Sequence, residues 1–108
     1  NIISQGFITQ KVIAVPDEYA LHQNYPNPFN PVTTILYDLP KESHVFLVVY
    51  DILGREVKSL FNSKEEAGYK SVRWNGRNNF GQKVSAGVYF YRLETSGFVK
   101  VNKMLLLK

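Results

Sequence analysis

Val88-Tyr89-Phe90-Tyr91-Arg92-Leu93-Glu94-Thr95, then Ser96-Gly97, then Phe98-Val99-Lys100-Val101-Asn102-Lys103-Met104-Leu105-Leu106-Leu107: these two β-prone runs joined by a turn are the stretch from which the rest of the chain is read. Side chains alternate across a strand, so Tyr89, Tyr91 and Leu93 share one face and form the best core candidate in the chain. Ser96-Gly97 is a two-residue turn signal, and it predicts that residues 98–107 return antiparallel to 88–95. The returning run changes phase: Val99 and Val101 have one parity, Met104 and Leu106 the other. A β-bulge near Asn102-Lys103 would bring both sets to one core.

The same grammar extends upstream. Ile35, Tyr37 and Leu39 alternate before Pro40, which predicts a strand over 34–39. Residues 44–50 are apolar on both faces, Val45, Leu47 and Val49 on one and Phe46, Val48 and Tyr50 on the other, the mark of a strand in the middle of a sheet. Asp51-Ile52-Leu53-Gly54 reads as a tight turn with Gly54 free to take positive φ, and 55–60 as the returning hairpin partner. Ala67-Gly68 opens a strand over 69–74 in which Val72 and Trp74 share a face. Gly76 and Gly81 punctuate the loop that follows, and Gly87 precedes the strand over 88–95. Short alternating segments divided by turn signals predict an all-β antiparallel sandwich of about seven strands, with Val45, Leu47, Val49, Trp74, Tyr89, Tyr91 and Leu93 in its core.

Two segments resist this grammar. Leu21-His22-Gln23-Asn24-Tyr25-Pro26-Asn27-Pro28-Phe29-Asn30-Pro31 holds three prolines and three asparagines around two aromatic rings, and it can continue neither a helix nor a central strand. It reads as a proline-rich linker, as an ordered, irregular lead-in to the domain or as a recognised peptide. Further upstream, Phe7, Ile8, Val12, Ile13 and Val15 form a β-prone stretch ending at Pro16. That arm, residues 1–18, is either the remnant of an upstream linker or an extra strand that pairs with this domain or a neighbouring molecule. Residues 19–108 form the domain itself.

A chain of 108 residues with 44% hydrophobic and 14% aromatic content suits one packed domain. Without cysteine, neither a disulfide framework nor a thiolate metal site is available, so packing must supply the stability. The net charge of +4 is spread along the chain and interleaved with acids, as in Lys64-Glu65-Glu66, which argues against a nucleic-acid footprint. No run of about 18 apolar residues predicts a membrane-spanning helix. An exported form is expected to take its leader from a larger precursor or to have lost it.

Catalytic patterns are sought and not met. His22 and His44 lie in unrelated contexts, the serines have no GxSxG setting, and no phosphate-binding Gly-rich loop occurs. The loop Asn75-Gly76-Arg77-Asn78-Asn79-Phe80-Gly81 offers amide oxygens but no carboxylate, so an asparagine-glycine turn is preferred to a calcium site. The expectation is a non-enzymatic domain without cofactor or metal.

With these elements placed, residues 19–108 resemble the C-terminal sorting domains of proteins exported by the type IX secretion system, type A class. The resemblance rests on Gln23-Asn24-Tyr25-Pro26-Asn27-Pro28-Phe29-Asn30-Pro31 in the lead-in, then Thr34-Ile35-Leu36-Tyr37-Asp38-Leu39-Pro40, then Val49-Tyr50-Asp51-Ile52-Leu53-Gly54-Arg55-Glu56-Val57 across the turn. It continues through Gly68, Trp74-Asn75-Gly76, Gly81, Ala86-Gly87-Val88-Tyr89-Phe90-Tyr91 and the terminal Lys103-Met104-Leu105-Leu106-Leu107-Lys108. It implies an immunoglobulin-like sandwich, similar also to the domain of flagellar hook-capping proteins. It further implies passage through the periplasm to the cell surface or medium, recognition by an outer-membrane shuttle and translocon, and processing by a sortase-like protease. Recognition would run through an exposed strand edge and the terminal Lys103–Lys108 motif. A second reading from a different class is a structural subunit that persists outside the cell and self-assembles into filaments by strand addition of Phe7, Ile8, Val12, Ile13 and Val15 to an exposed edge of the next copy.

Overall fold

The computed structural model describes residues 14–107 and contains seven strands: β1 (Ala20–Leu21), β2 (Thr33–Leu39), β3 (Ser43–Tyr50), β4 (Glu56–Glu65), β5 (Gly68–Trp74), β6 (Gly87–Thr95) and β7 (Phe98–Leu106). They form two antiparallel sheets, ordered β1-β2-β5 and β4-β3-β6-β7. This is the expected immunoglobulin-like sandwich. Its interior is built by period-two alternation from both sheets: Ile35, Tyr37 and Leu39 of β2 face Val45, Leu47 and Val49 of β3 and Tyr89, Tyr91 and Leu93 of β6. Trp74 closes one end, its ring 5.5 Å from that of Tyr89 and edge-on to it.

β3 lies between β4 and β6, as its two apolar faces predict. Only the Val45, Leu47 and Val49 face is fully buried, while Phe46, Val48 and Tyr50 lie on the outer surface of the sheet and are half-buried or exposed. The turn after it forms as read: the Gly54 amide donates to the Asp51 carbonyl at 3.0 Å, and Gly54 has φ of 83°. Asp51 Oδ1 accepts from the Leu53 and Arg55 amides, each at 2.9 Å. The Arg55 amide above all holds the Asp51 carboxyl below its ordinary range; desolvation opposes it, and the Arg55 guanidinium and the Leu53 amide add to the lowering.

Three expectations are corrected. β4 runs on to Glu65 rather than stopping at residue 60, because β3 offers partners as far as Ser43. The bulge near Asn102-Lys103 is absent: β6 and β7 pair in unbroken register from Gly87↔Leu106 to Thr95↔Phe98. The phase change is real, but it is met by leaving Val99 and Val101 on the outer face while Met104 and Leu106 enter the core. Register shifts occur instead between Leu47 and Val48 and between Val49 and Tyr50, against β4. β1, Ala20–Leu21, pairs with β2 at the start of the lead-in, where no strand was read. Of the arm, Phe7, Ile8, Val12 and Ile13 lie outside the described residues, and Val15 is exposed.

Candidate functional site

The lead-in and the last strand make one structure. Phe29 is buried against Trp74, the ring centroids 5.8 Å apart, and its backbone forms a one-residue parallel bridge to Leu106. The Phe29 amide donates to the Leu105 carbonyl at 3.0 Å, and the Leu107 amide donates to the Phe29 carbonyl at 2.8 Å. Asn27 Oδ1 accepts from the Leu105 amide at 3.0 Å, and Gln23 Nε2 donates to the Lys103 carbonyl at 2.9 Å. Each of these bonds falls on an odd-numbered residue of the terminal stretch, whose backbone points away from β6. Proline removes donors from the lead-in, and asparagine and glutamine side chains replace part of what a regular strand would have offered.

Beneath this clamp lies a buried polar knot. The Tyr91 hydroxyl donates to the His22 carbonyl at 2.7 Å and accepts from the Asn24 amide at 2.8 Å. Asn102 Nδ2 reaches the same hydroxyl and the Leu21 and His22 carbonyls. Asn24 Nδ2 donates to Thr33 Oγ1 at 2.9 Å and to the Pro26 carbonyl, which Thr33 Oγ1 also meets. Burial raises the Tyr91 phenol above its ordinary value, and its hydrogen bonds to Asn102 and Asn24 oppose that shift. A lead-in sealed this way is an integral part of the domain, which decides against the linker reading.

The predicted recognition residues divide by parity. Met104 and Leu106 are core residues, whereas Lys103, Leu105 and Leu107 lie on the outer surface, Leu105 36% and Leu107 47% exposed; Lys108 lies outside the described residues. The backbone edge of this segment is closed from the Lys103 carbonyl to Leu107 by Gln23, Asn27 and Phe29, so what it presents is side chains. Beside Leu107 a cleft of about 330 Å³ opens between Pro31, Gly76, Arg77 and Lys83. Gly76 sits at φ of 74°, and a Cβ there would stand 3.3 Å from the Pro31 carbonyl oxygen, so glycine lets the two loops meet.

The remaining motif residues serve turns and packing. Trp74 Nε1 donates to the Arg77 carbonyl at 2.9 Å, and Asn78 Oδ1 accepts from the Phe80 and Gln82 amides on either side of Gly81. Gly68 and Gly87 begin β5 and β6 with positive φ. Sequence reading missed Gln23, Thr33 and Asn102 as partners in the clamp and knot, and Tyr19, which stacks on Phe98 at 5.4 Å. These partners are up to 81 residues apart, and no local pattern announces them.

Comparison with known proteins places this architecture. Latent dimeric PorU of Porphyromonas gingivalis contains a similar fold, with a TM-score of 0.65 at 24% identity over 94% of this chain and 10% of that one. PorZ of the same organism, described as an essential bacterial surface component of its type-IX secretion system, aligns with a TM-score of 0.54 at 23% identity over 85% of this chain and 12% of that one. FlgD of P. aeruginosa aligns with a TM-score of 0.55 at 27% identity over 68% of this chain and 57% of that one. The chain therefore spans about a tenth of the two P. gingivalis proteins and just over half of FlgD. No curated protein matches. The profile of the FlgD Ig-like domain matches residues 31–97, a stretch that includes neither the clamp residues Gln23, Asn27 and Phe29 nor β7. With well over half its length matched, this chain belongs to the FlgD Ig-like domain family.

Proposed function

We propose that this domain is a non-catalytic sorting and surface-targeting module read by the type IX secretion machinery, with an outer-membrane shuttle and the translocon as its direct partners and a sortase-like protease acting afterwards. The observation that carries the reading is the clamped terminal strand. Its backbone edge is sealed by the lead-in from the Lys103 carbonyl to Leu107, Met104 and Leu106 anchor it in the core, and Lys103, Leu105 and Leu107 are held outward as a fixed row of one cation and two apolar side chains. A receptor would read that row from the folded domain, burying the two leucines and pairing the ammonium, with little ordering cost because the strand is already fixed. The motif resemblance across residues 19–108 supports this role, as does the fold shared with a surface component of such a system.

Removing residues 103–108 would be a poor test, because it also takes Met104 and Leu106 out of the core. A reporter fused to the chain and carrying Leu105→Ser with Leu107→Ser changes only outward side chains. The expected outcome is a folded fusion retained in the periplasm. Normal surface delivery of that fusion would overturn the proposal.

A further inference from the structure

Two turns at one end of the sandwich share one construction. In Asp51-Ile52-Leu53-Gly54-Arg55 and in Asn78-Asn79-Phe80-Gly81-Gln82 the first side chain accepts from the third and fifth amides, at 2.9 Å or 3.0 Å throughout. The fourth amide donates to the first carbonyl and the first amide to the fifth carbonyl, and glycine takes the fourth place at φ of 83° and 80°. Nothing in this scheme calls on the third side chain. Yet that place holds Leu53 and Phe80, 72% and 87% exposed, with Ile52 next to Leu53 at 68%.

Both turns flank the start of β4. The first leads directly into it. The second is tied to it by Asn79, whose amide donates to the Val57 carbonyl and whose side chain bonds the Ser59 amide and the Glu56 carboxylate. Charge is sorted by end as well. Around the turns, Asp51 is paired with Arg55 and Glu56 is held by Asn79, while Arg77 and Lys83 meet no carboxylate among the described residues. At the opposite end Glu42, Glu65 and Glu66 border the turns that join β2 to β3 and β4 to β5, and Asp17 and Glu18 precede Tyr19, which stacks on the first residue of β7.

We propose that the twin turns are a membrane-docking face: Ile52, Leu53 and Phe80 enter the headgroup region of an anionic lipid surface, and Arg77 and Lys83 lie against its phosphates.

A bilayer is favoured over a protein pocket by what the turns withhold. Their amides are bonded within the turn or to β4, so the tips can enter a medium poor in hydrogen-bond partners without leaving those donors bare. Separate convex tips would each need a matching pocket in a protein, whereas a fluid surface yields to both. The Arg77 guanidinium rests on the Gly81 carbonyl, which sets a cation beside Phe80 at headgroup depth. With acids gathered at the far end, a negative plane attracts this face and repels the other. Turns already fixed by their own bonds lose little freedom on docking. This inference does not rest on the sorting role, and lipid alone tests it.

The full chain at low salt should sediment with vesicles of phosphatidylcholine containing about a quarter phosphatidylglycerol, and far less with phosphatidylcholine alone. Leu53→Ser with Phe80→Ser changes only exposed side chains, so the circular-dichroism spectrum and urea midpoint should be kept while binding weakens roughly tenfold or more. Lys83→Gln should weaken binding to the anionic vesicles about fivefold. The chain has no cysteine, so Phe80→Cys and Glu66→Cys each take a single polarity-sensitive dye; the dye at position 80 should shift to the blue on anionic vesicles, and the one at position 66, at the opposite end, should not. A native chain that ignores both vesicles overturns the proposal, as do unchanged binding by the folded Leu53→Ser/Phe80→Ser variant and equal dye shifts at the two positions. Protection of these turns by a purified envelope protein, with no affinity for lipid, assigns them to a protein partner and overturns it as well.

Discussion

Replacing Phe29 by alanine separates an integral lead-in from a segment that merely lies against the domain. Phe29 is 1% exposed and packs on Trp74, so truncation empties a ring-sized space at the end of the core. Large-to-small changes of this kind cost about 3–5 kcal/mol. Area arithmetic agrees, since roughly 150–200 Å² of ring surface at about 25 cal/mol per Å² gives about 4–5 kcal/mol. Against the roughly 5–15 kcal/mol that holds a small domain together, this is a large fraction. Urea unfolding followed by Trp74, the sole tryptophan, should show the midpoint fall with the slope retained. Amide exchange adds a local readout: the Leu105 and Leu107 amides, held by Asn27 and Phe29, should lose protection before the centre of β6 does. Tyr25 is the internal control, since it lies in the same segment but is 79% exposed and pairs with Thr34 through backbone alone, so Tyr25→Ala should stay within about 0.5 kcal/mol. A Phe29→Ala cost below about 1 kcal/mol, or equal costs at both positions, would refute the reasoning.

Asn24→Ala removes a buried side chain that donates to Thr33 and to the Pro26 carbonyl, and thermal unfolding should report a loss of about 1–3 kcal/mol; stability equal to the parent would show the knot to be dispensable. Tyr37 and Tyr91 titrate above their ordinary value, Tyr37 through burial first and then through Glu65, and Tyr91 through burial. Above about pH 10 the unfolded chain therefore releases these protons before the native one, and stability should decline as pH rises; Tyr37→Phe should flatten that decline in unfolding curves recorded at stepped pH. Asp51 is shifted the other way, so its contribution is present above its ordinary value near about 4 and lost as pH falls through the lower folded value. Asp51→Asn keeps an oxygen for the Leu53 and Arg55 amides, and should reduce the acid dependence seen on acid unfolding without disrupting the turn.

The parts of the fold legible in sequence are those governed by neighbours along the chain. Alternation at Tyr89, Tyr91 and Leu93 and at Val45, Leu47 and Val49, with turns at Asp51–Gly54 and Ser96-Gly97, determined the strands, their hairpins and the core, because a pleated strand sorts side chains by parity whatever its partner. The same rule left the first half of β7 ambiguous. Val99 and Val101 satisfy a strand equally well facing in or out, and only the unbroken register with β6, set by the turn, puts them outside. The residues that matter to the terminal site were visible as a motif, yet their work was not. That Asn27 stands in for a strand at Leu105, that Phe29 plugs the core beside Trp74, and that the edge is sealed from the Lys103 carbonyl to Leu107 but, among the described residues, open at Val99 and Val101 are outcomes of chain segments some eighty residues apart meeting in space. Sequence by itself determined which segments could pair and which faces could be buried. Tertiary structure alone decided which edge stays free, because a backbone hydrogen bond is specified by geometry and by whichever segment arrives there, and every residue but proline offers the same donor and acceptor.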